Sequence, residues 1–386
     1  MGVRSGYKQT EVGEIPQDWN VEPIGQIAGV GRGRVISHRE ILRSSSPLYP
    51  VYSSQTKNDG VMGYLDTFDF EGDYITWTTD GANAGTVFAR AGKFNCTNVC
   101  GTIKPRTDDH QYLARVLGRL APPHVSRHLG NPKLMNDVMK KIMVPRPSLP
   151  EQRAIAEALS DVDALLSGLD RLIAKKRDLK QAAMQQLLTG QTRLPGFHGE
   201  REVKRLGEIC EISMGRTPAR LNQAFWGRGH KWLSISDLQS KVVTESKEEI
   251  TELAASTMKI VPKGTLLMSF KLSLGRLCFA GCDLFTNEAI CSFNKLQADA
   301  DFLYYALGRT DFSLYGKQAV KGYTLNRKSL ELIEVTLPVR PEQTAIAQVL
   351  SDMDAELAAL ETRREKTRQL KQGTMQELLT GRTRLV

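Results

Sequence analysis

Several short stretches of the chain contain residue types that could support enzymatic chemistry, but each lacks the partners that its chemistry requires. Gly29-Val30-Gly31-Arg32-Gly33 offers a glycine-rich loop for a cofactor, yet no helical pattern follows it. Asn131-Pro132-Lys133-Leu134 lacks the second proline and the aromatic residue that would stack a flipped base in a methyl-transfer site. Glu202-Val203-Lys204 has no acidic companion at a spacing suited to a metal ion. The sequence therefore predicts no catalytic site, cofactor or metal in this chain.

A second set of polar residues could form hydrogen bonds with the edges of DNA bases. Amides, hydroxyls and arginines on exposed loops make such contacts, whereas lysines mostly neutralise phosphate, although Asn, Asp and Gly are also common in ordinary turns. Trp77, Trp226 and Trp232 could stack on bases, but tryptophans in strand-rich domains more often lie in the core. The candidates are Ser53, Ser54, Gln55, Lys57, Asn58, Thr79, Asp80 and Asn83 in the first half of the chain, and Arg216, Thr217, Arg220, Ser236, Asp237, Lys271, Ser273, Lys321 and Tyr323 in the second.

The loops that carry these residues separate strand-like runs in two regions, residues 1–149 and 195–340, each about the size of one domain. Short apolar runs bounded by turn residues predict strands at residues 49–52, 74–78, 85–88, 232–235, 265–270 and 276–280. Residues 111–120 and 301–307 are predicted to be short helices. Each region is therefore predicted to be a mixed α/β domain with a β core.

Each region is followed by a copy of one helical stretch, residues 150–194 and then 341–386. At an offset of 191, residues 150–194 and 341–385 align without a gap and share 27 identical positions of 45, which indicates an internal duplication. Proline and glutamate open each copy, and Gly190 and Gly381 end the helical pattern, so each copy predicts one helix of roughly 38 residues. Apolar residues alternate at spacings of four and three, as in a coiled-coil seam. They are Ile155, Leu159, Val162, Leu166, Leu169 and Ile173, repeated by Ile346, Leu350, Met353, Leu357 and Leu360.

Basic residues interrupt both seams at the same height. They form either a solvated helix face or the place where a partner or DNA backbone approaches. These residues are Lys175, Lys176 and Arg177 in the first copy, and Arg363, Arg364 and Lys366 in the second.

The duplication also reaches the edges of the two strand-rich regions. Residues 21–27 match residues 203–209 at four apolar or glycine positions, and residues 134–144 run in step with 325–335. Gly33-Arg34 falls against Gly215-Arg216, which makes both a loop at the start of a domain. The middles of the regions do not match. A repeated frame with two different interiors is suited to holding two domains with different recognition properties in the same geometry.

Composition sets the outer limits. With 386 residues and 41% hydrophobic residues the chain can form two or three globular domains. A formal net charge of +9 favours a polyanionic partner, with nucleic acid first. The N-terminal residues lack the apolar core of a signal peptide and no run is long enough to span a membrane, so we expect a cytoplasmic protein without membrane contact. The six cysteines have neither zinc nor disulfide spacing and are expected to be reduced.

The order of variable region, long helix, variable region and second long helix resembles the DNA-specificity subunit of type I restriction-modification systems over the whole chain. Gly13-Glu14-Ile15-Pro16 with Trp19 is similar to the start of that family's domains, and Gly215-Arg216-Thr217-Pro218 to its first loop. Two further pairs of motifs resemble recurrent types of its target-recognition domain: Tyr49-Pro50-Val51-Tyr52 with Thr76-Trp77-Thr78-Thr79-Asp80-Gly81, and Lys263-Gly264-Thr265-Leu266-Leu267 with Thr286-Asn287.

The resemblance implies an α+β fold in which two β-rich target-recognition domains, residues 1–149 and 195–340, are joined by two long antiparallel coiled-coil helices in pseudo-twofold relation. Each domain would read one half of a bipartite, asymmetric target in double-stranded DNA, and the helix pair would set the spacing. Two methyltransferase subunits, which bind S-adenosylmethionine, would dock on the helices and perform the chemistry, while the presence of ATP-dependent restriction subunits stays open. The docking residues are expected to be Leu187, Leu188, Leu378 and Leu379, because the seam pattern has loosened there.

Two other hypotheses belong to different classes: a structural adaptor whose helices only tether partner proteins, and an enzyme with an unrecognised site. Salt dependence separates the first from a DNA reader, since phosphate contacts make affinity fall steeply with salt.

Overall fold

A computed structural model describes residues 4–127, 130–319 and 322–385, without the side chains of residues 317–319, 322 and 323. Within these ranges the chain forms two compact units. Unit 1 is Met1–Asp170 with Thr362–Val386, and unit 2 is Arg171–Glu361. Each unit therefore contains one half of each long helix. The division predicted from the sequence instead kept both helices separate from the domains at residues 1–149 and 195–340.

Unit 1 contains two four-stranded sheets among its described residues, with orders β6-β5-β10-β7 and β4-β11-β8-β9, and the pairs β1-β2 and β3-β12. Its strands are β1 Tyr7–Thr10, β2 Gly13–Pro16, β3 Asn20–Pro23, β4 Ala28–Arg32, β5 Tyr49–Tyr52, β6 Val61–Leu65, β7 Phe70–Glu71, β8 Tyr74–Thr78, β9 Val87–Arg90, β10 Lys93–Cys96, β11 Cys100–Pro105 and β12 Met143–Arg146. Its helices are α1 Ile24–Ile27, α2 His38–Arg43, α3 His110–Leu120, α4 Asn136–Met139 and the first half of α5 Leu149–Thr189.

In the described part of unit 2 the sheet orders are β14-β21-β18-β19-β16 and β17-β15-β20, with the pairs β13-β24 and β22-β23. The strands are β13 Glu202–Arg205, β14 Glu211–Met214, β15 Trp226–Leu233, β16 Val242–Val243, β17 Glu248–Ile250, β18 Leu266–Ser269, β19 Leu277–Ala280, β20 Phe285–Thr286, β21 Ile290–Asn294, β22 Lys317–Ala319, β23 Gly322–Thr324 and β24 Glu334–Leu337. The helices are α6 Leu206–Ile209, α7 Glu252–Ala255, α8 Ala300–Leu307, α9 Arg327–Glu331 and the first half of α10 Arg340–Leu379.

The two units share one topology, including the interiors whose sequences do not match. The order β4-β11-β8-β9 in unit 1 recurs as β14-β21-β18-β19 in unit 2, and the parallel pair β5-β10 recurs as β15-β20. The frame pair β3-β12 recurs as β13-β24, both antiparallel. The duplication thus covers the central strands of each unit at the level of the backbone, while β1, β2 and β7 of unit 1 and β16, β22 and β23 of unit 2 are additions to one unit.

The predicted mixed α/β domains with a β core are confirmed. The runs at 49–52 and 74–78 are β5 and β8, and the predicted short helices are α3 and α8 within one residue. The remaining strand predictions overlap observed strands with ends displaced by a few residues, because turn residues bound strands only loosely. All six cysteines are free thiols. No helix within the described ranges is both long and apolar enough to cross a membrane.

The long helices pack against each other in antiparallel orientation, as predicted. In unit 1, Asp163 of α5 pairs with Lys371 of α10, and Asp170 pairs with Arg364 at 3.2 Å. In unit 2, ion pairs join α5 to α10 in the same sense, since residue numbers rise on one helix as they fall on the other. These pairs are Lys176 with Glu356, Arg177 with Glu361 and Lys180 with Asp354. Several basic residues that interrupt the seams are thus paired across the helices.

The expectation that the leucines at the helix ends are free for a partner was wrong. Leu187 and Leu188 are buried in the core of unit 2, and Leu378 and Leu379 are buried in the core of unit 1. The seam pattern loosens there because the core that buries each helix end contains residues of the β domain as well as the start of the other helix. These side chains contribute to folding and are not accessible for docking.

A buried glutamate at the start of each helix binds an arginine that follows the end of the other helix. Glu151 accepts hydrogen bonds from Arg384, one at 2.8 Å, and from the Trp19 indole at 3.1 Å. Glu342 accepts hydrogen bonds from Arg193 and, at 2.8 Å, from Arg201. Both carboxylates are fully buried. We call these contacts the carboxylate clamps.

The glutamine that follows each clamp glutamate orders the neighbouring short helix. The Gln152 amide oxygen accepts a hydrogen bond from the backbone N–H of Asp109 at 2.9 Å, and Gln343 does the same for Asp299 at 2.8 Å. Each aspartate in turn accepts a hydrogen bond from a backbone N–H in the first turn of α3 or α8. The Pro-Glu-Gln motif therefore joins the long helix to its β domain.

The charge state of the unit 2 clamp follows from its surroundings. Burial alone would raise the pKa of Glu342, but hydrogen bonds from Arg193 and Arg201 outweigh burial and hold its pKa below the ordinary value. In unit 1, hydrogen bonds to Glu151 and Asp18 raise the pKa of Arg384. Glu342 is thus ionised at neutral pH and forms an ion pair with its arginines.

Replacing Glu342 by glutamine leaves two arginines without their buried counter-charge. We expect Glu342→Gln to lower the free energy of unfolding at pH 7 by about 3 kcal/mol, since breaking a buried ion pair is strongly destabilising. A glutamate whose folded-state pKa is depressed stabilises the fold above its unfolded-state pKa of about 4.3, and this contribution is lost as pH falls through the folded-state value. Urea unfolding at several pH values from 7 downward should therefore show the difference from wild type shrinking below about pH 5.

The matched control is Glu356→Gln, which removes an exposed ion pair with Lys176 on the same helix and should cost less than about 1 kcal/mol. Equal losses for the two variants, or a difference independent of pH, would contradict the role assigned to Glu342.

Candidate nucleic-acid interface

Loops of unit 1 converge at one edge of its sheets. Strands β4 and β8 both pair antiparallel with β11, so the ends of β4 and β8 lie beside the start of β11. The parallel strands β5 and β10 end together at the pairing of Tyr52 with Cys96. The loops that leave these ends span residues 33–36, 53–60, 79–86 and 97–99, and we call this the reading edge of unit 1.

The same convergence occurs in unit 2. Strands β14 and β18 end beside the start of β21, and the parallel strands β15 and β20 end together at Leu233 and Thr286. The loops of the reading edge of unit 2 are residues 215–222, 234–238, 270–276 and 287–289. Most of the predicted DNA contacts of both halves therefore fall on equivalent edges.

One turn of each reading edge requires glycine. A Cβ at Gly33 would lie 2.1 Å from the Cys96 carbonyl oxygen, and a Cβ at Gly215 would lie 2.2 Å from the Thr286 carbonyl oxygen. The next residue, Arg34 or Arg216, donates its backbone N–H to the same carbonyl oxygen at 3.1 or 2.8 Å. The alignment of Gly33-Arg34 with Gly215-Arg216 made from sequence is thus confirmed, and this stretch is a structural turn.

A buried hydroxyl closes one loop on each edge. The Thr78 hydroxyl at the end of β8 donates to the Asn83 carbonyl oxygen and accepts from the Thr86 backbone N–H at 3.1 Å. Ser269 at the end of β18 donates to the Ser273 carbonyl oxygen and accepts from the Arg276 N–H at 3.0 Å. We call this the hydroxyl clasp. It fixes the loop backbone without using the exposed side chains.

The predicted residues Ser53, Ser54, Gln55, Lys57 and Asn58 lie on one loop of unit 1, and the last three are exposed. Gln55 donates to the Val61 carbonyl oxygen, so its amide closes the loop. Asn58 adopts a left-handed backbone with φ of 49°, which asparagine tolerates. The loop can present hydroxyl, amide and ammonium groups.

Arg90 stabilises this loop by contacts with the loop and with the strands beside it. Its guanidinium lies 3.6 Å from the ring centroid of Tyr52 and donates to the Asp59 carbonyl oxygen at 2.6 Å and to the Thr76 hydroxyl at 3.1 Å. Burial lowers the pKa of Arg90. Sequence reasoning missed this residue, because nothing in a lone arginine on a strand predicts an inward orientation.

The second predicted group in unit 1 consists of Thr79, Asp80 and Asn83, and the prediction that Thr79 contacts DNA was wrong. Its side chain is fully buried and donates to the Asp80 carboxylate at 2.6 Å, because the chain here still continues the β8 pairing with residue 99. Asp80 is half-buried and lies 3.8 Å from the Lys133 ammonium. Asn83 is exposed at the loop tip, where its amide is available for a contact.

In unit 2, Arg216 is exposed at the reading edge, while Thr217 and Arg220 are engaged within the unit. Thr217 donates to Glu288, and Arg220 pairs with Glu248 at 2.5 and 3.0 Å while it covers the Trp226 ring at 4.0 Å. Trp77 and Trp232 are buried in the core, as their strand positions favoured, and Trp226 is half-buried. The Arg220 guanidinium is therefore engaged in contacts within the unit that stabilise the loop.

The remaining candidates of unit 2 divide in the same way. Asp237 accepts hydrogen bonds from the Ser234 backbone and hydroxyl, at 2.8 and 2.7 Å, and so stabilises a turn that leaves Ser236 exposed. Lys271 and Ser273 lie on the clasped loop. Lys321 lies outside the described residues, and Tyr323 lies in β23 with a side chain that is not described.

Glu288 on this edge was not predicted. The hydrogen bond from Thr217 lowers the pKa of Glu288, partial burial opposes this effect, and the nearby Lys271 and Arg220 lower the pKa further. An ionised carboxylate can accept a hydrogen bond from the cytosine amino group. Neither Lys57, Arg216 nor Lys271 forms an ion pair with another described residue, so each edge carries cations free to meet phosphate. Within the same residues, no group of three His, Cys, Asp or Glu side chains could hold a metal ion.

Comparison with known proteins gives these edges a family context. Residues 16–175 and 199–371 match the type I restriction modification DNA specificity domain, once for each copy of the duplication. The chain belongs to the type I restriction-modification specificity family. It is 28% identical over 337 residues to a putative type I specificity subunit of Mycoplasma pneumoniae, covering 86% of this chain and 88% of that one.

Two solved structures have the fold of this specificity subunit. A type I restriction-modification S subunit from M. genitalium superposes with a TM-score of 0.65 at 15% identity, covering 98% of both chains. A second chain, from a structure titled for complex assembly and conformational transition of the type I system, superposes with a TM-score of 0.59 at 16% identity, over 95% of this chain and 99% of that one. Family membership assigns this specificity subunit to DNA sequence specificity, a recognition role.

The free lysine of the clasped loop allows a test of the reading edge. We expect Lys271→Ala to weaken DNA binding by the specificity subunit and to reduce the slope of log affinity against log salt by about 1, because one phosphate contact is lost. Fluorescence anisotropy over a salt series measures this slope. The matched control is Lys263→Ala, an exposed lysine before β18 at the opposite edge of the sheet, which should leave the slope unchanged. Equal slopes for both variants and wild type would exclude phosphate contact by Lys271, and a wild-type affinity that does not fall with salt would favour the adaptor hypothesis.

Proposed function

We propose that each unit of this specificity subunit reads one half of a bipartite, asymmetric target in double-stranded DNA through its reading edge. The observation that carries this proposal is that one edge is built twice from equivalent strand ends and carries different loop side chains. Asp80 stands where Lys271 stands in the other unit, counted from the clasp residues Thr78 and Ser269. An anionic and a cationic group at equivalent positions favour different base edges and phosphate contacts.

The helix pair sets the spacing between the two half-sites in this proposal. Its seam, the ion pairs between α5 and α10, and the two carboxylate clamps oppose sliding of one helix along the other. The number of residues between the clamps then determines the separation, at about 1.5 Å per helical residue.

The helices also carry the methyltransferase subunits. Leu179 on α5 and Leu370 on α10 occupy the same position of the duplication and are 47% and 69% exposed. An exposed leucine on a long helix costs hydration free energy and suits a partner surface. One equivalent leucine in each unit supports two methyltransferase subunits, one per half-site.

Catalysis belongs to those partners in this proposal. The glycine-rich stretch pairs in strand β4 and ends in the turn at Gly33, and the sequence has no proline-proline-aromatic motif. We therefore assign S-adenosylmethionine and the flipped adenine to the methyltransferase. Restriction subunits would add cleavage to the same assembly.

Exchange of one interior tests modular recognition. Replacing residues 28–134 by the corresponding residues of a relative with another target should change one half of the methylated sequence and leave the other unchanged, because the frame strands and clamps are retained. The number of base pairs between the halves should also stay the same, since both helices are intact. A genome-wide methylation map of the exchanged complex measures all three properties.

The reciprocal exchange of residues 210–325 is the control and should change only the other half. Simultaneous change of both halves would refute independent reading, and a changed spacing would refute the ruler role of the helices.

Leu179 and Leu370 test docking. We expect Leu179→Asp and Leu370→Asp each to remove one methyltransferase subunit from the assembly, because a buried unpaired carboxylate disfavours an apolar contact. Native mass spectrometry counts the subunits, and the melting temperature of the isolated chain should stay within a few degrees of wild type. Leu42→Asp, at an exposed leucine on α2, should retain both partners. Two bound methyltransferases in both helix variants would exclude this docking site.

A further inference from the structure

The clasped loops, residues 79–86 in unit 1 and 270–276 in unit 2, each contain a residue with a left-handed backbone, but the residue type differs. Three residues after the clasp hydroxyl stand Gly81 in unit 1 and Leu272 in unit 2, and both have a left-handed backbone, with φ of 93° and 63°. The residue directly after the clasp hydroxyl corresponds as well. Thr79 and Phe270 each accept a backbone hydrogen bond from an equivalent leucine, Leu134 or Leu325, at 2.9 and 3.1 Å. The left-handed residue therefore lies at the same distance from the clasp in both loops, although the loop of unit 2 is shorter.

Glycine is the residue that this conformation favours, and leucine is costly there. A left-handed backbone disfavours a residue with a Cβ, and such strain persists where the surroundings enforce it, most often at functional sites. Leu272 gains nothing from burial in return, since it is 69% exposed. At Gly81 a Cβ would meet no atom within 4 Å, so the equivalent space in unit 1 is open. The Leu272 side chain thus serves neither the backbone nor the core.

Polar residues flank Leu272 in its loop. Lys271 precedes it and Ser273 follows it, which places an ammonium and a hydroxyl beside the apolar group. The Ser269 clasp, which donates to the Ser273 carbonyl oxygen, holds the loop backbone on one side of Leu272. Leu272 is the exposed apolar side chain of this short loop, while Leu274 is half-buried. Leu272 lies between two residues whose polar groups are of the kind that contact phosphate and base edges.

We propose that Leu272 is a specificity-determining residue that contacts the 5-methyl group of a thymine in the half-site read by unit 2. The proposal rests on the proposed function of the reading edges. The thymine methyl is the apolar group that bases expose in the major groove, and aliphatic side chains recognise it. Gly81 gives unit 1 no equivalent contact, so the same loop selects for a thymine in one half-site only.

The test uses the specificity subunit assembled with its methyltransferases and a duplex that carries the mapped target. Single thymines of the half-site read by unit 2 are replaced by deoxyuridine, which lacks only the 5-methyl group. For one thymine we expect wild type to lose about fourfold in affinity, the factor for one buried methyl-sized group. Leu272→Gly should lose about the same on the thymine duplex and show no further loss on the deoxyuridine duplex.

Leu272→Gly should fold, because glycine relieves the left-handed strain, and its melting temperature should equal or exceed that of wild type. The control Leu253→Ala removes another exposed leucine, on α7 at the opposite edge of the sheet, and should retain the wild-type response to deoxyuridine.

Three results would overturn the proposal: a half-site without thymine, a wild type insensitive to deoxyuridine at every thymine, or additive losses in the Leu272→Gly complex. If these occur while exchange of residues 210–325 still changes the half-site, only the contact by Leu272 fails. If the exchange leaves the half-site unchanged, the proposed function fails with it.

Discussion

The structure depends on the buried carboxylate at the start of each long helix. Glu151 and Glu342 would destabilise the fold if they were unpaired, since a buried charge without a partner costs several kcal/mol. Their partners, Arg384 and Arg193, lie beyond the end of the other helix. The start of one helix and the segment after the end of the other are therefore fixed to each other in each unit, and a shift of either helix by one turn would separate the charges.

The two clamps solve the same electrostatic problem with different residues. In unit 1 the second donor to the glutamate is the Trp19 indole, and Asp18 provides Arg384 with a further carboxylate at 2.8 Å. In unit 2 Arg201 takes the place of Trp19 and donates to Glu342. One unit uses a neutral donor with an added acid, and the other uses a second arginine. Both arrangements leave the buried glutamate hydrogen-bonded, which is the condition that burial imposes.

Sequence patterns predicted the frame well because the frame is governed by local periodicity and by a duplication that can be counted. The helices and the strand-end loops follow from that information, whereas the antiparallel orientation of the helices was implied by the family resemblance. The leucines 187, 188, 378 and 379 were assigned to the wrong environment because a seam pattern describes helix-to-helix packing and contains nothing about a β domain at the helix end. The Thr-Arg-Leu that follows each terminal glycine lies within the repeat, and this signal could have identified Arg193 and Arg384.

The interior of each unit could not be predicted residue by residue, since its contacts depend on backbone geometry that unlike sequences share. Thr78 and Ser269 have the same role only because both end a strand with a buried hydroxyl. Thr79 is buried because the pairing of β8 continues one residue past Thr78. A loop fixed by backbone bonds and a buried hydroxyl can change its exposed side chains at little cost to stability. This separation explains how two units that share their central sheets can present different chemistry at their loop tips, whose exposed residues the fold does not constrain.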